Sequence, residues 1–358
     1  MKIKFLLSIL FFVNLLAKEN VYFIVVAGGV GERLWPLSCQ KYPKQFLSID
    51  GEKTLLEMAL ERADGIVENG HKLVATTKDF VSLVQQQVGN QIEQILVEPA
   101  LRNTGPAICL AAMKIAQKDP NAILVFLAAD HFIHPVKNFK DSVKLAIDYA
   151  AKNDEMVLLG IKPTWPAIGY GYIKLSEKFV ANKVMSVVSF HEKPSFEKAQ
   201  EYLNMGTMVW NGSYFCARAK VFLSEFEEYA PQIIQGIKKY LAGEASYEVL
   251  PNISIDFAVM EKSKNLKAVL LDAQWSDVGN LAVFLTLRNQ FEKSEKLIAL
   301  NADNNLVFSK NNKQIVFLGV DDLCLVETDN VIVVAKKSSV EQIKKAVEIL
   351  RTQRSFLV

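Results

Sequence analysis

Uninterrupted apolar runs alternate with segments of helical spacing between residues 21 and 130. That alternation restricts the chain to an α/β architecture with a mainly parallel sheet covered on both faces. VYFIVVA (21–27), KLVATT (72–77), QILVEP (94–99) and AILVFLAAD (122–130) read as strands, and TLLEMALERA (54–63), DFVSLVQQQV (79–88) and AICLAAMKIAQ (107–117) as helices. In such a sheet ligands bind beyond the carboxyl ends of the strands. Two polar clusters fall there, the loop after Ala27 and Asp130. Further along, MVLLGI, YGYIKL, VMSVVSFHE and MVWNGSYFCA are expected strands, with helices at 196–204, 219–241, 254–262 and 279–290. Beyond 291, LVFSKNN, QIVFLGV, LCLVETD and VIVVAKK recur as short β runs, followed by the amphipathic helix VEQIKKAVEILR. The expected organisation is an apolar segment at 1–17, a large α/β domain at 18–290 and a small β domain with a terminal helix at 291–358.

Charge narrows the range of partners. Lys and Arg number 41 against 39 Asp and Glu, a net +2, so the basic surplus that nucleic-acid binding needs is missing. The 4 cysteines (Cys39, Cys109, Cys216, Cys324) form no CxxC pair and the 4 histidines no metal-ligand spacing, which excludes a zinc site and fits reduced thiols in a cytosolic protein. Residues 1–17, with Lys2 and Lys4 ahead of an apolar run and Ala17, carry a signal-like pattern too short for a membrane span.

The loop after the first strand reads Ala27-Gly28-Gly29-Val30-Gly31-Glu32-Arg33, then Pro43-Lys44-Gln45-Phe46. Glycines let backbone N–H groups approach phosphate oxygens, and Arg33 and Lys44 supply cations to neutralise a polyphosphate. A Walker A loop is absent, and Gly29-x-Gly31-x-x-Leu34 lacks the third glycine of the dinucleotide fingerprint. Asp50 stands where a ribose-binding acid would, so a dinucleotide site stays open at this point. Asp130, at the end of a buried strand, and Asp277, in Trp275-Ser276-Asp277-Val278-Gly279, are candidates to share one Mg²⁺ beside phosphates, with a helix N-cap the other reading of Asp130; spacing alone does not bring the two together.

These stretches resemble the mannose-1-phosphate guanylyltransferases (GDP-mannose pyrophosphorylases), a branch of the sugar nucleotidyltransferases. GGVGERLWPLSCQKYPKQFL is similar to that family's signature. The likeness continues in order through Glu98-Pro99 to Ala107, Ala129-Asp130-His131, Gly169 to Ile173, Glu192-Lys193-Pro194, Trp210-Asn211, Ser254 to Glu261 and Trp275 to Gly279.

The resemblance implies a Rossmann-like nucleotidyltransferase domain followed by a small, left-handed β-helix-like unit. It implies transfer of GMP from GTP to α-D-mannose 1-phosphate, with Mg²⁺ as cofactor, a place in nucleotide-sugar and polysaccharide synthesis, and a cytoplasmic location despite residues 1–17. Ala27, Gly28, Gly29, Gly31 and Asn103 would bind the nucleotide, Arg33 and Lys44 would act on the triphosphate, and Asp130 and Asp277 would hold the metal. Gly171, Glu192, Lys193 and Asn211 would line the sugar-phosphate pocket. His131, His191, Trp210 and Trp275 are read as structural. Asp256 and Glu261 are read either as an acidic wall of the site or as a helix cap and a solvated helix face. Cys39 stands where the family has Arg, which removes a cation from the loop. Ala129, Gly105 and Asn280-Leu281 are lesser departures. The apolar tail suggests a homodimer by analogy, and nothing in the chain matches the isomerase domain of longer relatives. A sister transferase, a non-catalytic binding homologue and an oxidoreductase are the competing readings.

Overall fold

The computed structural model describes residues 20–67, 71–291, 297–311 and 313–353. The signal-like segment at 1–17 lies outside the described residues. Among them, no helix is long and apolar enough to cross a membrane.

A nine-stranded sheet carries the molecule. Its spatial order is β3 (Gln94–Glu98), β2 (Lys72–Thr77), β1 (Val21–Val26), β4 (Ile123–Ala128), β9 (Met208–Arg218), β6 (Met156–Ile161), β10 (Leu266–Leu271), β8 (Val184–His191) and β7 (Tyr172–Leu175). The pairs β2–β3, β1–β2, β1–β4 and β6–β10 are parallel. Only β8 and β9 run against the rest, so the sheet is mainly parallel as expected. Strand alternation feeds two cores. Ile24, Leu124 and Phe126 pack on one face with α3 (Thr104–Ala116), α6 (Ala219–Tyr229) and α7 (Pro231–Leu241). Phe23, Val25, Val125 and Leu127 pack on the other with α1 (Leu55–Glu61), α2 (Val81–Val88), α4 (Val136–Ala150) and α5 (Phe196–Met205).

Local signals set the helix ends. Thr54 and Glu57 form a reciprocal capping box at α1, and Ser195 caps α5, which ends on the left-handed Gly206. The single helix expected at 219–241 is two. Ala230 leaves helical geometry and Pro231 begins α7, a position where its missing N–H costs nothing. The helix expected at 254–262 is a π-helical turn, Asp256–Met260.

Two short elements close the site from above: β5 (Phe132–His134) pairs antiparallel with β11 (Gln274–Ser276). They bring the residue pair Asp130-His131 beside Trp275 and Asp277. In the tail, β12 (Leu297–Leu300) lies parallel to β14 (Ile315–Leu318), and β13 (Leu306–Ser309) to β15 (Leu323–Glu327). Leu297 faces Ile315 and Leu306 faces Cys324, an equal offset at both pairings, as in a β-helical coil. β16 (Ile332–Lys336) ends the coil antiparallel to β15. A third core joins this tail to the loop after β1. Leu306, Cys324 and Val326, together with Ile343 and Val347 of α9 (Ile343–Thr352), pack with α8 (Leu281–Phe291) against Leu34, Trp35 and Leu47 of the signature loop.

Candidate active site

The signature loop leaves β1 at the centre of the sheet. Ala27 donates its N–H to Ala75, and its carbonyl accepts from Gln45 Nε2 (3.1 Å) and Thr76 Oγ1 (2.7 Å). These bonds fix the chain just before Gly28 and Gly29, whose amides meet no protein acceptor among the described residues. They are available to an anion. Gly31 has φ +76°, and a Cβ there would lie 2.3 Å from Lys44 Cβ. The glycine therefore sets where Lys44 enters the site. Gly31→Ala is expected to cost about 1–2 kcal/mol from the left-handed backbone alone and to lower turnover by displacing Lys44. Gly29→Ala, with nothing within 4 Å of the new Cβ, is expected to leave stability unchanged. Thermal unfolding alongside turnover checks both.

Lys44 is buried, and its ammonium donates to Asp130 Oδ2 at 2.7 Å and to the backbone carbonyl of Asp277. One cation thus ties the ends of two distant chain segments together. Burial opposes ionisation of Asp130, but the Lys44 ammonium outweighs it and holds the carboxyl below its usual range. Tyr170 donates to Asp277 Oδ1 at 2.8 Å. A Cβ on Gly279 would stand 2.9 Å from Asp277 Oδ2, so this loop needs its glycine to seat the carboxylate.

His131 is neutral. Burial drives its pKa down to about 4 against the pull of Asp130. Its Nδ1 lies 3.3 Å from the Trp275 indole nitrogen and 2.9 Å from the Tyr214 phenol oxygen, Oη. The indole can only donate, so Nδ1 accepts and Nε2 carries the proton toward Asp130. His131 and Trp275 pack beside the Asp130 carboxylate, and both also line the second cavity.

Three cavities converge on these residues. The first, about 540 Å³, is lined by Ala27, Gly28, Gly29, Glu98, Leu101, Asn103 and Asp130. The second, about 450 Å³, is lined by Gly171, Glu192, Lys193, Asn211, Asp256 and Asp277. The third, about 490 Å³, holds Gly31, Arg33, Lys44, Asp130 and Asp277. Asp130 is shared by the first and third, Asp277 by the second and third, and Asn103 by the first two. Every residue that the resemblance gives to the nucleotide, the triphosphate, the metal or the sugar phosphate borders one of them.

Some local roles differ from the expectation. Asn103 caps α3, accepting from Thr104 N with φ 65°. Asn211 uses its side chain internally, donating to Asp256 Oδ1 (2.8 Å) and accepting from Ser213 N (3.0 Å). Gly171 makes room for Glu192, since a Cβ there would lie 2.5 Å from Oε2. Burial first, and then Asp256, push the Glu192 carboxyl up to about 7. Glu261 Oε1 accepts from the Glu192 amide at 2.8 Å. Asp256 lines the first two cavities and belongs to the acidic wall, whereas Glu261 is exposed and touches the site only through the Glu192 amide. Asp50 is spent in its own turn, accepting from the amides of Glu52 and Lys53. Cys39 pairs by backbone with Tyr42 and borders none of the three cavities.

One site residue was missed. Glu98, at the end of β3, is buried in the first cavity; Tyr247 donates to its Oε2 at 2.9 Å, and burial pushes its pKa up to about 7. A carboxylate ending an apolar strand was the available signal.

Known proteins share this sequence pattern and fold. The sequence model of the nucleotidyl transferase family matches residues 22–294. The mannose-1-phosphate guanylyltransferase of Escherichia coli (strain K12) is 32% identical over 358 residues, 94% of this chain and 74% of that protein. A solved structure from Thermus thermophilus, described as a mannose-1-phosphate geranyltransferase, superposes with a TM-score of 0.83 at 30% identity, covering 93% of this chain and 99% of that one. A Helicobacter pylori structure described as a mannose-6-phosphate isomerase gives a TM-score of 0.61 at 29% identity, covering 72% and 99%. The chain belongs to the nucleotidyl transferase family, in the group of the mannose-1-phosphate guanylyltransferases.

Proposed function

We propose that the chain transfers GMP from GTP to α-D-mannose 1-phosphate, giving GDP-mannose and pyrophosphate in the cytoplasm, where GTP is supplied. The observation that carries this reading is the meeting of the three cavities at Asp130 and Asp277. One has the size and apolar lining for a nucleoside, one has the acids and Lys193 for a sugar phosphate, and one has the cations for a triphosphate tail.

The attacking phosphate oxygen is already anionic at neutral pH, so the site needs no general base. It must bring two anions together and stabilise charge on the leaving pyrophosphate. The free amides of Gly28 and Gly29 orient the α-phosphate. Arg33 and Lys44 neutralise the triphosphate. Glu192 accepts hydroxyls of the sugar, and Lys193, 3.2 Å from it, meets the sugar's phosphate.

The donor set fits a Mg²⁺ ion. Asp130 and Asp277 present two carboxylates to the phosphate cavity, and a cation, the Lys44 ammonium, already rests against one of them. Among the described residues no group of three such ligands forms, which suits an ion that completes its shell with water and substrate phosphates. When bound there, Mg²⁺ would supply Lewis-acid polarisation and charge neutralisation at the phosphates.

The test is pyrophosphate release from a panel of nucleoside triphosphates and sugar 1-phosphates, with and without EDTA. GTP with mannose 1-phosphate is expected to react fastest and EDTA to abolish turnover. Preference for another pair, or turnover undisturbed by EDTA, would reject the assignment.

A further inference from the structure

We propose that Lys344, on the C-terminal helix α9, is a phosphate-binding residue of this site, gripping the part of the triphosphate that departs as pyrophosphate. The proposal rests on the transferase reading above and extends the site into the tail.

Helix α9 is seated on the signature loop. Ile343 and Val347 are buried in the core shared with Leu34 and Trp35. Polar contacts run along the same contact line: Glu341 Oε2 lies 3.9 Å from Arg33 Nε, and Arg351 donates to Glu32 Oε1 at 2.5 Å. Lys344 follows Glu341 by three positions, which puts both on one face of the helical turn. It lines the third cavity together with Gly31, Arg33, Lys44, Asp130 and Asp277, and it borders neither the nucleoside nor the sugar cavity.

Charge accounting gives this lysine its part. Lys44 is committed to Asp130, and Arg33 stands near Glu341. Lys344 has no ion pair among the described residues. A triphosphate entering this cavity therefore meets an exposed ammonium with its charge uncommitted, on the wall that α9 supplies. The departing phosphates are the part of the substrate that needs such a cation, because the nucleoside and the sugar phosphate occupy the other two cavities.

The experiment uses the full chain and the variants Lys344→Ala, Lys344→Arg and Lys345→Ala, the last on the same helix but outside the cavity lining. Calorimetry measures the binding of pyrophosphate, GTP and GMP, and pyrophosphorolysis of GDP-mannose gives the KM for pyrophosphate. Lys344→Ala is expected to weaken pyrophosphate and GTP about 10-fold, the low end for a charged contact because the side chain is exposed. GMP, which lacks the departing phosphates, should bind unchanged. Lys344→Arg should restore most of the loss, Lys345→Ala should cause none, and added salt should shrink the difference. Pyrophosphate affinity within about twofold of the unmodified chain, or an equal loss for GMP, would overturn the proposal. Direct pyrophosphate binding reads Lys344 whichever sugar or base the enzyme proves to use, so failure of this inference and failure of the transferase assignment are separate results.

Discussion

Lys44→Ala is expected to lower turnover by at least about 100-fold, the order found when a transition-state stabilising group is removed. Its ammonium is buried between Asp130 Oδ2 and the Asp277 carbonyl, in the third cavity, between the two aspartates that this cavity shares with the others. Removal does two things. The growing charge on the leaving pyrophosphate loses its nearest fixed cation. Asp130 also loses the partner that keeps its carboxyl ionised against burial, so the carboxylate becomes harder to maintain. Both losses weigh on the reacting state more than on substrate binding, so kcat should fall further than KM for GTP rises. Lys44→Arg keeps the charge but brings a planar fork where a single point donor serves two oxygens, and it should recover little. Thermal unfolding of both variants separates a lost cation from a lost fold. Turnover of Lys44→Ala near that of the unmodified chain would remove Lys44 from the mechanism.

The parallel half of the fold was readable because strands buried on both faces must be apolar throughout, and the central pair β1 and β4 are. The antiparallel placement of β9 between β4 and β6 was not, since its run looks like any other buried strand and only tertiary pairing distinguishes it. The break at Ala230 was signalled by Pro231 and lost under continuous helical spacing on both sides. For the site, residue types at the carboxyl ends of strands were legible: the glycines, Arg33, Lys44 and the two aspartates. What joined them was not. Asp130 and Asp277 converge because β5 pairs with β11 and Lys44 bridges the result, a contact across 233 positions for the Asp277 carbonyl. Asp50 shows the opposite failure: a spacing that suited ribose belongs to a turn that consumes the carboxylate locally.

Glu98→Gln is expected to erase the enzyme's preference for guanine, lowering kcat/KM for GTP by about 100-fold, as expected for lost charged hydrogen bonds in a buried site, while ATP is little affected. Glu98 lies in the nucleoside cavity with Oε2 fixed by Tyr247, and its Oε1 is 3.9 Å from the place a Cβ on Gly28 would take. Guanine presents two adjacent N–H donors, N1–H and the N2 amine, where adenine presents an acceptor and no amine at that edge. A carboxylate accepts both; an amide turns one contact into a donor facing a donor. The raised pKa adds a sign that can be tested. With its carboxyl pushed up to about 7 by burial, Glu98 is partly protonated in the free enzyme at neutral pH. The two guanine donors favour the ionised form, so binding releases a proton and affinity must fall as pH drops below 7. Guanosine is the clean probe, because it has no phosphate to titrate and does not reach Glu192. Its inhibition constant should rise from pH 8 to pH 6 in the unmodified chain and stay flat in Glu98→Gln, whose amide does not titrate. A pH-dependent constant in the variant would assign the titration to another acid of that cavity, Asp256 first, and take it away from Glu98.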